Sequence, residues 1–144
     1  MTKKERIGSL INTITANYLE LGVQPSELVE NAFNSECEKV ETYRKQERLF
    51  VDIVYSDIDD ENKTYKYTMR YIYTKDRSLT RIDQKMGKNQ FKKQWCRQEI
   101  LDLLIDELRI LLLSVKDKSF VDKVVKSIPL EIQKSITNHL KLVA

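Results

Sequence analysis

The hydrophobic positions of this chain change period twice. From Ile7 onward, Leu10, Ile11, Ile14, Tyr18 and Leu21 recur at three- and four-residue steps, the spacing that lays one apolar stripe along a helix. Thr2 and Glu5 stand three apart at its start, as a capping box requires. Gly22 is the expected C-terminal stop, because glycine accepts left-handed backbone. A second, short helix is expected over 25–33, with Pro25 in its first turn and Leu28, Val29, Ala32 and Phe33 as its apolar side.

Alternation then replaces the helical period. In "RLFVDIVYSDI", Leu49, Val51, Ile53 and Tyr55 alternate with Phe50, Asp52, Val54 and Ser56; in "KTYKYTMRYIYT", Tyr65, Tyr67, Met69, Tyr71 and Tyr73 alternate with Lys66, Thr68, Arg70 and Ile72. β-Branched and aromatic residues at period two predict strands, and the acidic "DIDDENK" between them predicts the turn of a β-hairpin. The flanking segments "ECEKVETYRK" and "SLTRIDQKM" extend it to a three- or four-stranded antiparallel meander.

From Asn89 onward the spacing is helical again. Leu101, Leu104, Ile105, Leu108, Leu111, Leu112 and Val115 form one stripe, and Ile100, Leu103, Ile110 and Leu113 a second. The polar strip that carries Asp102, Asp106, Arg109 and Lys116 is narrow, so a helix over 98–115 has to be covered on two sides. A homodimer with Leu103, Ile110 and Leu113 in its interface would cover the second stripe; residues 119–143 compete for that role. Ser119 is the expected cap of a short turn carrying Phe120, Val121, Val124 and Val125. Pro129 opens a final helix with Ile132, Ile136, Leu140 and Val143 on one side. The fold class is therefore α+β: N-terminal helices, a small antiparallel hairpin or meander, and a helical C-terminal third.

Length and composition narrow this picture. The 144 residues fit one domain, 1–144, and three glycines with two prolines favour long regular elements over a loop-rich barrel. The longest apolar run, Ile110 to Leu113, is far too short to span a bilayer, so no membrane partner is expected. "MTKKERIGSL" is not followed by the apolar region of a secretory signal. Cys37 and Cys96 fit no metal or redox spacing and read as free thiols, which points to the cytoplasm. The net charge of +3 conceals a strong polarity. Ten acids against four bases between Glu30 and Glu61 give −6 locally, and eight bases against two acids between Lys75 and Arg97 give +6. Such asymmetry bears on partners rather than on fold.

No catalytic constellation is legible. His139 has no nucleophile or carboxylate at a useful spacing, three glycines exclude Walker and Rossmann fingerprints, and no cofactor is expected. Asp57, Asp59, Asp60 and Glu61 lack the fixed offsets of a calcium loop and read as a solvated turn. Tyr65, Tyr67, Tyr71 and Tyr73 share a strand face with Met69; stacking of single-stranded bases is one use for such a face, a core under helices the simpler one.

The stretch "KMGKNQFKKQWCRQEILDLLIDELRILLLS" holds the candidate binding residues Arg81 (just before it), Lys85, Lys88, Lys92, Lys93 and Arg97, with Phe91 and Trp95 four apart beside them. Read as a helix start, the lysines could hold phosphates with help from free amides and the helix dipole. Helix, hairpin and helix in order, with paired lysines opening the last helix in "GKNQFKKQW", resembles a double-stranded-RNA-binding domain over residues 48–112. The loop that would reach the minor groove is here the acidic "DIDDEN", without histidine, and that family's function is not carried over. The reading that results is a non-catalytic interaction protein (an adaptor, chaperone-like factor or inhibitor) recognising a protein partner through a charge-polarised surface. The alternative is a nucleic-acid-binding protein that contacts phosphates through residues 77–97.

Overall fold

A computed structural model describes residues 1–134 of the chain, and the class is α+β as the periodicity predicts. The described residues form two compact units, each with its own core. One comprises Met1–Glu20 together with the described residues from Gln98 onward; the other is Leu21–Arg97. Ile136, His139, Leu140 and Val143 lie outside the described residues.

The helical unit begins with α1 (Lys3–Leu19), whose capping box is formed as expected: Thr2 Oγ1 accepts from the Glu5 amide at 3.1 Å, and Glu5 accepts from the Thr2 amide at 3.4 Å. The helix stops at Leu19 with Glu20 in extended conformation, so Gly22 is not its cap. Ile7, Leu10 and Ile14 are buried with Leu101, Ile105, Leu108 and Leu112 of α3 (Arg97–Ser114) and with Ile128 and Ile132. Arg6 bonds Glu107, and Tyr18 donates to Glu131. The cap of α4 (Lys118–Lys126) is Asp117 rather than Ser119: its carboxylate accepts from the Phe120 amide at 3.1 Å, and Lys118 already has helical geometry. Phe120, Val121, Val124 and Val125 pack against the core cluster.

The second unit opens with α2 (Pro25–Leu28), which runs on as a 3₁₀ turn over Val29–Phe33. The chain then forms a five-stranded antiparallel meander, β1 (Cys37–Lys45), β2 (Arg48–Ile58), β3 (Thr64–Tyr73), β4 (Leu79–Met86) and β5 (Lys92–Cys96), in that spatial order. The register pairs Val51 with Tyr71, Ile53 with Met69 and Tyr55 with Tyr67, so the predicted alternation sets the two faces. On one face, Val51, Ile53, Tyr73 and Leu79 are buried with Leu28, and Val40, Tyr55, Tyr71, Ile82 and Trp95 pack around them. This confirms the core role expected for Tyr71 and Tyr73. Tyr65 and Tyr67 are half-buried and stacked at 6.1 Å.

The fifth strand corrects the sequence reading. Lys92 to Cys96 were expected to open the long helix, but they pair with β4, Ile82 opposite Trp95 and Asp83 opposite Lys93. Phe91 and Trp95 do fit a four-residue helical step. Pairing satisfies the backbone of 92–96 in a ladder and also buries Trp95 against the sheet core, and helix begins only at Arg97.

Candidate functional site

The sheet face opposite the tyrosine core carries the charge. Alternation puts Tyr43, Phe50, Asp52, Thr68, Arg70, Arg81, Asp83 and Lys85 on it, and the register sets Arg70 between Asp52 on β2 and Asp83 on β4. Asp52 is only 8% exposed, yet it accepts from Arg70 Nε at 2.9 Å, from Arg70 Nη2 at 3.0 Å and from the Tyr43 hydroxyl at 3.0 Å. Asp83, 6% exposed, accepts from Arg81 Nε at 2.6 Å. Each buried carboxylate is thereby paired, as burial in low dielectric demands.

Aromatic rings hold the network in place. The Arg70 guanidinium lies 3.9 Å from the centre of the Phe91 ring and 5.8 Å from that of Phe50, which itself stacks on Tyr43 at 5.3 Å. A flat delocalised cation suits such a position better than an ammonium. The hydrogen bonds to Asp52 push the Arg70 pKa above its ordinary value, against the opposing effect of burial. Arg70 is thus a permanent charge at neutral pH, with two donors already committed.

The sequence-derived candidates do not stay together. Arg81, Lys85, Phe91 and Lys93 share this outer face, with Lys85 Nζ 5.0 Å from the Phe91 ring centre. Lys88 is exposed in the β4–β5 turn, and Lys92 is exposed on β5. Trp95 instead packs on the opposite, core face. Arg97 stacks over Trp95 at 5.4 Å and donates from Nε to the Leu79 carbonyl at 2.8 Å, which makes it a structural tie. The lysines are therefore not gathered at a helix N-terminus, and of the six cations only Arg97 lies in α3. Leu103, Ile110 and Leu113 stand on the outer side of α3, 72%, 60% and 46% exposed.

The outer face also contains a groove of about 530 Å³, lined by Lys66, Lys85 and Lys88 together with Val54, Tyr65 and Thr68. Lys66 pairs with Glu38 at 3.1 Å. Spacing gave no sign of this groove, because Lys66 and Lys85 meet only through the pairing of β3 with β4. The acidic β2–β3 turn has its own explanation: Asp59 Oδ1 accepts from the amides of Glu61 and Lys63, both at 2.9 Å. Among the described residues no group of three or more His, Cys, Asp or Glu side chains is placed to hold a metal ion. No helix among them is long and apolar enough to cross a membrane. No family model, curated protein or solved structure matches the chain.

Proposed function

We propose that the chain is a non-catalytic interaction protein, an adaptor, chaperone-like factor or inhibitor, whose outer sheet face recognises an acidic segment of a protein partner. The observation that carries this reading is the groove in which Lys66, Lys85 and Lys88 surround apolar Val54 beside the Phe91–Arg70 stack. Lysines around a partly apolar floor match alternating acidic and hydrophobic side chains, and half-buried Arg70 fixes the ring against which such a segment would lie. Charge of this kind gives steering and specificity. Self-association belongs to the same reading, with Leu103, Ile110 and Leu113 of two copies meeting on α3. Cys37 and Cys96 carry free thiols, and we place the protein in the cytoplasm.

Nucleic acid is the competing partner for the same lysines. The acidic turn 57–61 lies at the same end of the sheet as the basic β4–β5 turn, and it would repel a phosphate backbone. The test is binding of a peptide alternating Glu and Leu, set against mixed short DNA and RNA, at low and moderate salt with light scattering. Peptide binding that survives added salt and is lost in Lys66→Glu/Lys85→Glu/Lys88→Glu supports the reading. A nucleic-acid complex that weakens on the order of a thousand-fold with salt, with no peptide binding, overturns it. A mass above the 17.0 kDa of one chain that returns to it in Leu103→Glu/Ile110→Glu supports self-association, and a single-chain mass throughout removes it.

A further inference from the structure

At the opposite end of the sheet from that groove, the β1–β2 and β3–β4 turns and the start of α2 enclose a cleft of about 640 Å³. Four cationic side chains, Arg44, Arg48, Lys75 and Arg77, line it with one acidic residue, Glu47. We propose that this cleft is a binding site for a small polyanion carrying two or more phosphate or carboxylate groups.

Glu47 is already committed, holding Lys75 Nζ at 2.9 Å. The guanidiniums of Arg44, Arg48 and Arg77 make no hydrogen bond, ion pair or ring contact among the described residues, although each of them lines the cleft. Three like charges lining one cleft without ion-pair partners of their own repel one another, and an anion placed between them reverses the sign of that interaction. Guanidinium forks match the oxygens of phosphate and carboxylate two at a time. Leu49 and Pro25 supply an apolar wall, and the volume lies within the roughly 300–1,000 Å³ of small-molecule sites.

The frame of the cleft is held rather than loose. Thr74 and Ser78 close the β3–β4 turn with an amide–carbonyl bond of 3.0 Å, and Gln24 Nε2 donates to the Arg77 carbonyl at 3.0 Å. Gln46, Glu47 and Arg77 all have positive φ. A two-residue hairpin loop with both centres left-handed is normally Asn-Gly or Asp-Gly. Here the loop retains Glu47, whose side chain orients Lys75, and the other turn retains Arg77. The sequence keeps cleft-lining side chains where glycine would sit without strain.

Isothermal titration of the full chain with inorganic pyrophosphate, ADP and citrate tests the site. One equivalent of at least one probe is expected to bind, at least tenfold more weakly in Arg48→Gln and in Arg44→Gln, with melting curves unchanged because both side chains are exposed and neither makes a hydrogen bond, ion pair or ring contact among the described residues. Pyrophosphate and ADP without citrate would assign phosphate, and citrate alone carboxylate. Lys63→Gln, an exposed lysine in the β2–β3 turn at the other end of the sheet, is the control. Failure of all three probes to bind, or an equal loss in Lys63→Gln, overturns the proposal.

Discussion

Arg70 donates two hydrogen bonds to Asp52 from a side chain about a quarter exposed, against 11% for its partner. Removing one member of such a pair differs from removing both. Arg70→Ala leaves a buried carboxylate with only the Tyr43 hydroxyl, and about 3 kcal/mol of destabilisation is expected. Arg70→Met with Asp52→Leu should cost distinctly less, and Lys85→Ala under about 0.5 kcal/mol. Urea unfolding separates the three; equal losses in the single and double variants would show that the orphaned Asp52 carboxylate is not what destabilises Arg70→Ala. Tyr73 makes a different, pH-dependent contribution. Burial above all, with Tyr71 and Glu27 adding, pushes its pKa up from 10.0 to about 12, and its hydroxyl donates to the Val23 carbonyl at 2.5 Å. The folded chain holds this proton more tightly than the unfolded one. Its stabilising effect is therefore complete below about pH 10 and lost as the pH rises through about 12. Tyr73→Phe is expected to be less stable than wild type at pH 8 but to lose less stability between pH 8 and 11.5. The slope should be reduced rather than abolished, since burial also raises Tyr55 and Tyr71. Parallel curves for the two proteins would rule the effect out.

At the scale of elements, legibility followed the number of repeats each period could show. Residues 49–56 and 65–73 alternate through four or more steps, and both strands and their faces were readable from that alone. The strand Lys92–Cys96 has five residues and an irregularity in its register between Ile82 and Asp83 of β4. Its alternation never completes two cycles, while Phe91 and Trp95 fit a helix by accident of spacing. Arg44, Arg48 and Arg77 were still less visible as a group, because only the meander brings the β1–β2 and β3–β4 turns to one end of the sheet. Gly22 was legible as a special residue but for the wrong element. It sits at φ +84°, and a Cβ there would lie 2.9 Å from Cβ of Leu79, a residue only 4% exposed. Cβ moves only with its backbone, so the clash cannot be relieved by a rotamer change. Gly22→Ala is expected to destabilise by about 2 kcal/mol. Gly8→Ala, inside α1 with nothing within 4 Å of the new methyl, should stabilise by about 0.5–1 kcal/mol. Thermal melts of the two variants shifting in the same direction would contradict this account.

At the scale of the whole molecule, the sheet unit is an insertion, since residues on both sides of it in the chain build the helical unit. Length alone argued for one domain. The ends of the insertion lie close together: the Leu21 carbonyl accepts from the Leu79 amide at 2.8 Å, and Arg97 Nε donates to the Leu79 carbonyl at 2.8 Å. The first and last residues of the unit are thus bound to the same position on β4, and adjacent ends are what an independently folding insertion requires. Its core of Leu28, Val51, Ile53, Tyr73 and Leu79 is drawn wholly from within residues 21–97. Residues 21–97 expressed alone are therefore expected to fold, with a β-sheet circular dichroism spectrum and a cooperative urea transition. At this size the stability should be modest, about 3–5 kcal/mol, and it should fall further in Gly22→Ala, whose clash with Leu79 is internal to the fragment. The same variant ties the fragment to the full chain: if the fold is the same, Gly22→Ala lowers both by similar amounts. A fragment that shows no cooperative transition would mean that the sheet needs the helical residues to fold, and that the chain is one domain in the thermodynamic sense.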